Sequence, residues 1–259
     1  MSQPSPLQIS HEDGGIVIFT LDMPKQLNPI SYELMDAMNG ALEKAPWQDA
    51  RVLIIRANGK GFSAGGEMAT IEKGLTAPSV LSTLIDRLHK CVLSINRLPL
   101  PVIASVNGAA AGAGFSLAMA CDLIIAARSA RFIVAYPQLG TSSDGGLSFT
   151  LTRKLGRSKS LEIMLLKNQL SAEEAHQLGL TVTITDDDKL EGETIAVARK
   201  IAGLPPHAVR ELKQLVADID DGILENQLKL EKEAFLRCAR TTDFREKVEG
   251  FLARQRDKN

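Results

Sequence analysis

The chain of 259 residues has few cysteines, few aromatic residues and no excess of either charge. Its three cysteines (Cys91, Cys121 and Cys238) are odd in number and far apart, which argues against a disulfide framework and against a zinc site. The 30 basic and 31 acidic side chains leave a formal net charge of −1. Because no whole-protein field attracts a polyanion, we expect neither a nucleic-acid partner nor a membrane partner.

Long uninterrupted apolar runs are also missing. Residues 98–121 carry no charge and are long enough to cross a membrane as a helix. Pro99, Pro101 and Asn107 divide this segment into strand, turn and helix, so we predict no membrane span. The first residues lack the basic and apolar segments of a secretory signal peptide, and we expect a cytoplasmic protein.

What the chain does contain is an alternation of apolar strands with amphipathic helices, which predicts an α/β fold with a largely parallel sheet. The predicted strands are 16–21, 51–56, 101–106, 123–127 and 131–134, and the predicted helices are 31–45, 80–98, a helix from about 113, and a short helix at 171–179 with a capping box. From residue 189 the pattern is helical throughout, near 189–203, 206–219, 223–239 and 242–256. We therefore divide the chain into an α/β core at 1–188 and a C-terminal helical region at 189–259.

The segment 102–122 joins an apolar strand to a helix through a turn of glycines and alanines. Small residues let the backbone come close to a ligand. The first amides of a helix that starts near Ala113 have no partner within the helix and lie at the positive end of its dipole. Such amides can hold a carbonyl oxygen that is becoming an anion, although a packing turn without a ligand explains this segment equally well.

A second glycine-rich turn, 57–67, follows the strand 51–56 and can supply a second N–H group. Together, Phe62-Ser-Ala-Gly-Gly-Glu67 and the Val106–Gly114 motif resemble the crotonase (enoyl-CoA hydratase/isomerase) superfamily, whose thioester oxygen is held by one N–H group from each turn. The resemblance extends from 21–28 to 244–254. It implies a crotonase (ClpP-like) spiral ββα core of the α/β class with a C-terminal helical trimerisation region.

The resemblance also implies a substrate, an assembly and a set of binding residues. The substrate is an acyl-CoA thioester; because coenzyme A is part of it, no separate cofactor and no metal are implied. Trimers and often hexamers form through the helical tail, where we expect one subunit to leave Phe235, Leu236, Phe244, Val248 and Phe251 uncovered. The oxyanion donors match Gly66 and Ala113, and the CoA contacts match Lys25, Ala64, Gly65 and, toward a neighbouring subunit's CoA, Phe251 and Arg254.

Proton transfer is where the chain departs from the enoyl-CoA hydratases of this family. Those enzymes use two glutamates, and the matching positions here hold Ser116 and Tyr136. Neither can act as a carboxylate base, although Tyr136 remains a candidate substrate contact. Because each well-placed acid or base contributes on the order of 10²–10⁴ in rate, we expect slow hydration.

A carboxylate appears instead at Asp144, just ahead of a predicted helix. Taken alone, this position is typical of a helix N-cap. It also matches the single acidic residue of one group of enoyl-CoA isomerases in the resembled family. One carboxylate is enough for that reaction, because it can take a proton from C2 of the substrate and return it at C4.

His89 lies on an amphipathic helix, where a lone histidine is usually a partly buried or surface residue. It matches a histidine of the related 4-chlorobenzoyl-CoA dehalogenases, whose nucleophilic aspartate matches Asp144. Those enzymes have tryptophans where this chain has Leu88 and Tyr136, so that reaction is less favoured.

The sequence therefore predicts an acyl-CoA isomerase of the 3-enoyl-CoA to 2-enoyl-CoA type, with Asp144 moving the proton. Three alternatives stay open. They are an enoyl-CoA hydratase, a dehalogenase or thioester hydrolase that uses Asp144 and His89, and a catalytically silent CoA-binding protein in which Asp144 is only a cap.

Overall fold

The computed structural model describes residues 5–44, 47 and 49–256. Its strands are Leu7–Glu12 (β1), Ile16–Leu21 (β2), Val52–Ala57 (β3), Gly61–Ser63 (β4), Val102–Val106 (β5), Ala109–Ala111 (β6), Leu123–Ala127 (β7), Arg131–Ile133 (β8), Gln169–Ser171 (β9) and Thr183–Thr185 (β10). Its α-helices are Tyr32–Lys44 (α1), Met68–Gly74 (α2), Pro78–Arg97 (α3), Ala113–Ala120 (α4), Leu147–Glu162 (α5), Ala172–Gln177 (α6), Leu190–Ala202 (α7), Pro206–Asp218 (α8), Asp221–Cys238 (α9) and Thr242–Arg256 (α10).

The larger sheet has the strand order β1-β2-β3-β5-β7-β10. Four of its five strand pairs are parallel, which agrees with the predicted largely parallel sheet. The edge strands β1, which is antiparallel to β2, and β10 were not predicted. Every residue of β2 is buried, because an apolar run without alternation suits a strand that is covered on both faces. α7 covers one face, where its Leu190 and Ala198 pack on Ile18, Ile54 and Ile103. The opposite face contributes to the main core.

The smaller sheet, β4-β6-β8-β9, contains the short strands that follow β3, β5 and β7 in the chain. Each of these short strands leads into a helix, so the unit of strand, short strand and helix recurs three times, ending in α2, α4 and α5. The parallel pairing of β4, β6 and β8 stacks the three units. This is the predicted spiral ββα core. Sequence periodicity could not show β6, because three alanines within a predicted turn carry no alternation.

Local helix signals are confirmed. Ser31 Oγ accepts a hydrogen bond from the amide of Leu34 at 3.2 Å, and α1 starts at the next residue, Tyr32. The capping box of α6 forms between Ser171 and Glu174. Ala45, the predicted end of the first helix, lies outside the described residues. None of the helices in the described ranges is both long and apolar enough to cross a membrane.

The C-terminal helices fold back on their own chain. α9 packs on α3 and α5, and α10 packs on α2 and on the turn Pro137–Leu139. Phe235, Phe244 and Val248 are consequently buried in the same core as the strands, and the expectation that one subunit leaves them uncovered was wrong. A group of exposed apolar side chains extends instead from α8 through the following turn to the start of α9, namely Leu212, Leu215, Val216, Ile219 and Ile223.

Candidate active site

The amide of Gly66 is directed away from the strand segment beside it. Ile30 donates its amide hydrogen to Gly65 O at 2.7 Å, and its carbonyl oxygen accepts from the Glu67 amide at 3.0 Å. In such a parallel bridge the amide of the intervening residue points the opposite way. Among the described residues nothing accepts a hydrogen bond from Gly66 N, which is therefore available to a ligand.

The second amide belongs to Ala113, the first residue of α4. The amide before it, Gly112 N, donates to Ile133 O at 2.9 Å, so the unpaired amides of the helix begin at Ala113. α4 is buried along almost its whole length, and its positive end is correspondingly shielded from bulk water. The unpaired amides and the shielding from water both strengthen the interaction of this helix end with a developing negative charge.

Glycine at position 65 brings these two amides together. Gly65 has a φ of +90°, and a Cβ atom there would lie 2.6 Å from Ala111 O and 3.5 Å from Ala113 N. Any side chain would push the 64–66 loop away from the start of α4. The two predicted oxyanion donors thus lie on neighbouring segments, Gly66 in the loop after β4 and Ala113 at the start of α4.

Ser116 and Tyr136, which stand where the hydratases keep their glutamates, converge on the main chain of Asp144. Ser116 Oγ lies 2.6 Å and Tyr136 Oη 3.0 Å from Asp144 O, and the two hydroxyls are 2.8 Å apart. Burial and the charge of Asp144 raise the pKa of Tyr136 well above its ordinary value, so its hydroxyl stays protonated. The pair holds Asp144 beside the first turn of α4, which carries the Ala113 donor.

The side chain of Asp144 forms a hydrogen bond with a histidine and does not cap the next helix. Its Oδ1 lies 2.6 Å from His89 Nε2, and both side chains are buried. α5 has Gly146 as its N-cap, with no side-chain cap bond. Gly145 and Gly146 both have positive φ and turn the chain so that the carboxylate faces α3. The structure therefore contradicts the N-cap interpretation of Asp144 and the surface interpretation of His89.

Glu231 on α9 also belongs to this site, and the sequence analysis missed it. Its Oε2 accepts from Gly146 N at 2.6 Å and its Oε1 from Ser148 N at 2.9 Å, so it caps α5 from another helix. Burial first, and the charge of Asp144 second, raise its pKa, while the two amides oppose the shift. One pattern could have revealed it: Glu231 shares the apolar stripe of α9 with Leu224, Leu228 and Phe235.

His89, Asp144 and Glu231 are of the types that bind metals, and one ligand atom from each lies within 4.8 Å of the others. Their geometry fits hydrogen bonding better. The 2.6 Å between His89 Nε2 and Asp144 Oδ1 is a hydrogen-bond distance, and both oxygens of Glu231 accept amide hydrogens. The cluster can hold and move a proton.

The predicted CoA contacts lie on the same side of the fold as the glycine turns. Ala64 N donates to Leu27 O at 2.8 Å, which places the exposed turn that carries Lys25 beside Ala64 and Gly65. Ala64 is exposed and Gly65 is buried.

The two predicted tail contacts are on α10. Phe251 is half-buried and Arg254 is exposed. Their helix lies over α2, which begins two residues after Gly66, and Arg256 pairs with Glu72 of α2 at 3.3 Å. The reach of Phe251 and Arg254 toward a second subunit's CoA stays a prediction.

Three stacked ββα units with paired glycine turns define the crotonase class of enzymes. A solved structure described as an enoyl-CoA hydratase from Bacillus halodurans superposes with a TM-score of 0.88 at 25% identity, covering 95% of this chain and 100% of that one. A family model for enoyl-CoA hydratase/isomerase matches residues 11–258. The chain belongs to the enoyl-CoA hydratase/isomerase family.

Curated relatives of this chain include two that are named as isomerases. The 1,2-epoxyphenylacetyl-CoA isomerase of Escherichia coli is 35% identical over 250 residues, covering 95% of each chain. The trans-2-decenoyl-[acyl-carrier-protein] isomerase of Streptococcus mutans is 30% identical over 249 residues, again covering 95% of each. Family membership is thus settled, while the individual reaction differs among the relatives.

Proposed function

We propose that this chain is an isomerase that moves the double bond of an enoyl-CoA from C3 to C2. The observation that carries the proposal is a buried aspartate, Asp144, whose main-chain carbonyl lies against the first turn of α4. Hydroxyls occupy the two positions where the hydratases keep glutamates. The Escherichia coli relative, named as an isomerase of an acyl-CoA, supports this assignment.

The mechanism we propose uses the two free amides and one carboxylate. Gly66 N–H and Ala113 N–H bind the thioester oxygen and stabilise the enolate more than the ground state, which acidifies C2. Asp144 takes the C2 proton, the electron pair delocalises into the dienolate, and the same proton returns at C4. Nothing is consumed, and coenzyme A leaves as part of the product, so the proposal includes no further cofactor and no metal.

A second candidate, a thioester hydrolase or dehalogenase, has one observation in its favour. The 2.6 Å contact between His89 and Asp144 could serve a nucleophilic carboxylate and a base that activates water. Leu88 and Tyr136 nevertheless stand where the resembled dehalogenases have tryptophans, and Tyr136 holds the Asp144 carbonyl. We therefore rank this candidate second.

We also propose a cytoplasmic homotrimer or hexamer. Support comes from the exposed apolar side chains of α8, whose burial against other subunits removes them from water. Lys25 and the 64–66 loop are proposed to contact CoA, since a lysine can pair with phosphate and exposed backbone can meet the adenine.

The test of the reaction compares two rates of the purified protein on substrates of equal chain length. Conversion of 3-enoyl-CoA to 2-enoyl-CoA should exceed hydration of 2-enoyl-CoA by about 10² or more, because hydration lacks an acid–base group. Equal rates would mean that another residue activates water. Release of free thiol from saturated acyl-CoA, followed in parallel, would favour the hydrolase, and turnover of no acyl-CoA would favour a silent binding protein.

A further inference from the structure

Glu231 is a buried carboxylate that the proposed proton transfer does not use. It is 4% exposed and lies among Leu224, Leu228 and Phe235 on the inner face of α9. A carboxylate in such surroundings is costly unless hydrogen bonds compensate for the lost hydration. Its position therefore calls for a specific set of partners.

Those partners are two backbone amides that lie two and four positions after Asp144 in the chain. Gly146 N and Ser148 N are the N-cap and second-residue amides of α5, and Glu231 accepts from both. An anion is favoured at this end of a helix. Glu231 thus supplies the cap that the side chain of Asp144 does not.

The two hydrogen bonds of Glu231, which we call the clamp, act on the glycine hinge, namely Gly145 and Gly146. Gly145 and Gly146 have φ values of +65° and +81°, and glycine loses more conformational freedom on ordering than any other residue. Asp144 sits at one end of this hinge, and the amide of Gly146 is bonded to Glu231. The hydroxyls of Ser116 and Tyr136 hold the carbonyl at the Asp144 end.

We infer that Glu231 is a positioning residue for Asp144: it reaches from α9 to fix Gly145 and Gly146 so that the Asp144 carboxylate stays against His89 while the Asp144 carbonyl stays against the first turn of α4. The inference rests on the proposed role of Asp144 as the proton carrier. It makes α9 part of the catalytic apparatus, because the C-terminal region supplies the clamp. A catalytic group needs such a support to keep its geometry.

Glu231→Gln in the full-length protein tests the inference. The amide keeps the size of the side chain and one acceptor oxygen but turns an NH₂ group toward one of the two backbone amides. We expect kcat for isomerisation to fall by about 10-fold or more, since displacement of a catalytic group by about 1 Å can cost 10²-fold. KM should stay within about 2-fold, because the predicted CoA contacts lie on other elements.

A double-mutant comparison separates positioning from a general structural effect. In the Asp144→Asn background, Glu231→Gln should cause no further loss of the residual rate, because the group it positions is already gone. Equal losses in both backgrounds would show that Glu231 acts independently of Asp144 and would overturn the inference. If Asp144→Asn itself retains full turnover, the proposed function fails; if only Glu231→Gln does, the inference alone fails.

Gln227 offers a matched control on the same pair of helices. Its Nε2 donates to Ser148 Oγ at 2.9 Å, so Gln227→Ala weakens the contact of α9 with α5 without touching the two amides. It should lower the melting temperature and leave kcat unchanged. If Glu231→Gln does not fold, Glu231→Asp is the second variant. It keeps the carboxyl group on a side chain that is one methylene shorter, and it should show the same selective loss of kcat. A folded Glu231 variant with wild-type kcat contradicts the inference.

Discussion

The carboxylate of Asp144 and the imidazole of His89 are joined across 55 positions of the chain. The same aspartate, judged from its neighbours in sequence, is a good helix cap. Two glycines with positive φ displace it from that position and turn it toward α3. At the scale of the residue, the backbone conformation after Asp144 therefore directs the side chain to His89 and leaves the start of α5 without a cap from Asp144.

The first residue-scale prediction follows from this geometry. Asp144→Asn keeps the size of the side chain and an oxygen that can accept from His89, but removes the base. We expect the isomerisation rate to fall by at least about 10², while CoA affinity and melting temperature barely change. Calorimetric titration with CoA and thermal unfolding serve as controls. A variant that loses several degrees of stability yet keeps its turnover would show a structural role instead.

At the scale of the element, α5 owes its start to a side chain of α9. Helices usually take their cap from the residue that precedes them. Here the local residues are Gly145 and Gly146, which have no side chain to offer, and Glu231 supplies the acceptor atoms from outside. The start of α5 consequently depends on whether α9 is in place.

This dependence gives a prediction about stability and pH. The pKa of Glu231 is raised in the folded state above its ordinary value of 4.5. Its contribution to stability is therefore fully present below the unfolded-state pKa and is lost as the pH rises through the folded-state pKa. Glutamine at position 231 cannot ionise. The free energy of unfolding of the wild type minus that of Glu231→Gln should therefore decrease as the pH rises above the ordinary pKa of 4.5.

Denaturant unfolding of both proteins at several pH values measures this difference. Gln227→Ala, which has no ionisable group at the altered position, should show a difference from wild type that does not change with pH. The opposite result would be a difference in free energy of unfolding that increases with pH. It would mean that the hydrogen bonds from the two amides favour the ionised form of Glu231 more strongly than burial and the charge of Asp144 disfavour it.

At the scale of the whole molecule, the C-terminal helices have two roles. α9 and α10 complete the core of their own chain, with Phe235, Phe244 and Val248 buried there. α8 contributes no buried residue, and its Leu212, Leu215 and Val216 are 64–69% exposed. α8 therefore carries a cluster of exposed apolar side chains, and it is the surface on which we base the proposed assembly.

Light scattering of the purified protein at micromolar concentration should therefore report a trimer or a multiple of it. Val216→Glu places a charge in the middle of the exposed apolar side chains of α8 and should shift the protein toward smaller species. Gln214→Glu adds the same charge at an exposed polar position of the same helix and should leave the assembly intact. A wild-type monomer with normal turnover would remove Phe251 and Arg254 from the site.

The sequence by itself determined the features that depend on near neighbours. The buried strand β2, the caps at Ser31 and Ser171, and the two glycine turns with Gly66 and Ala113 are set by residues a few positions apart. Only the tertiary structure decided that Asp144 meets His89, that Glu231 clamps α5, and that the tail buries its own aromatic side chains. These contacts join segments far apart in the chain, and their formation depends on how whole helices pack, which no local pattern encodes.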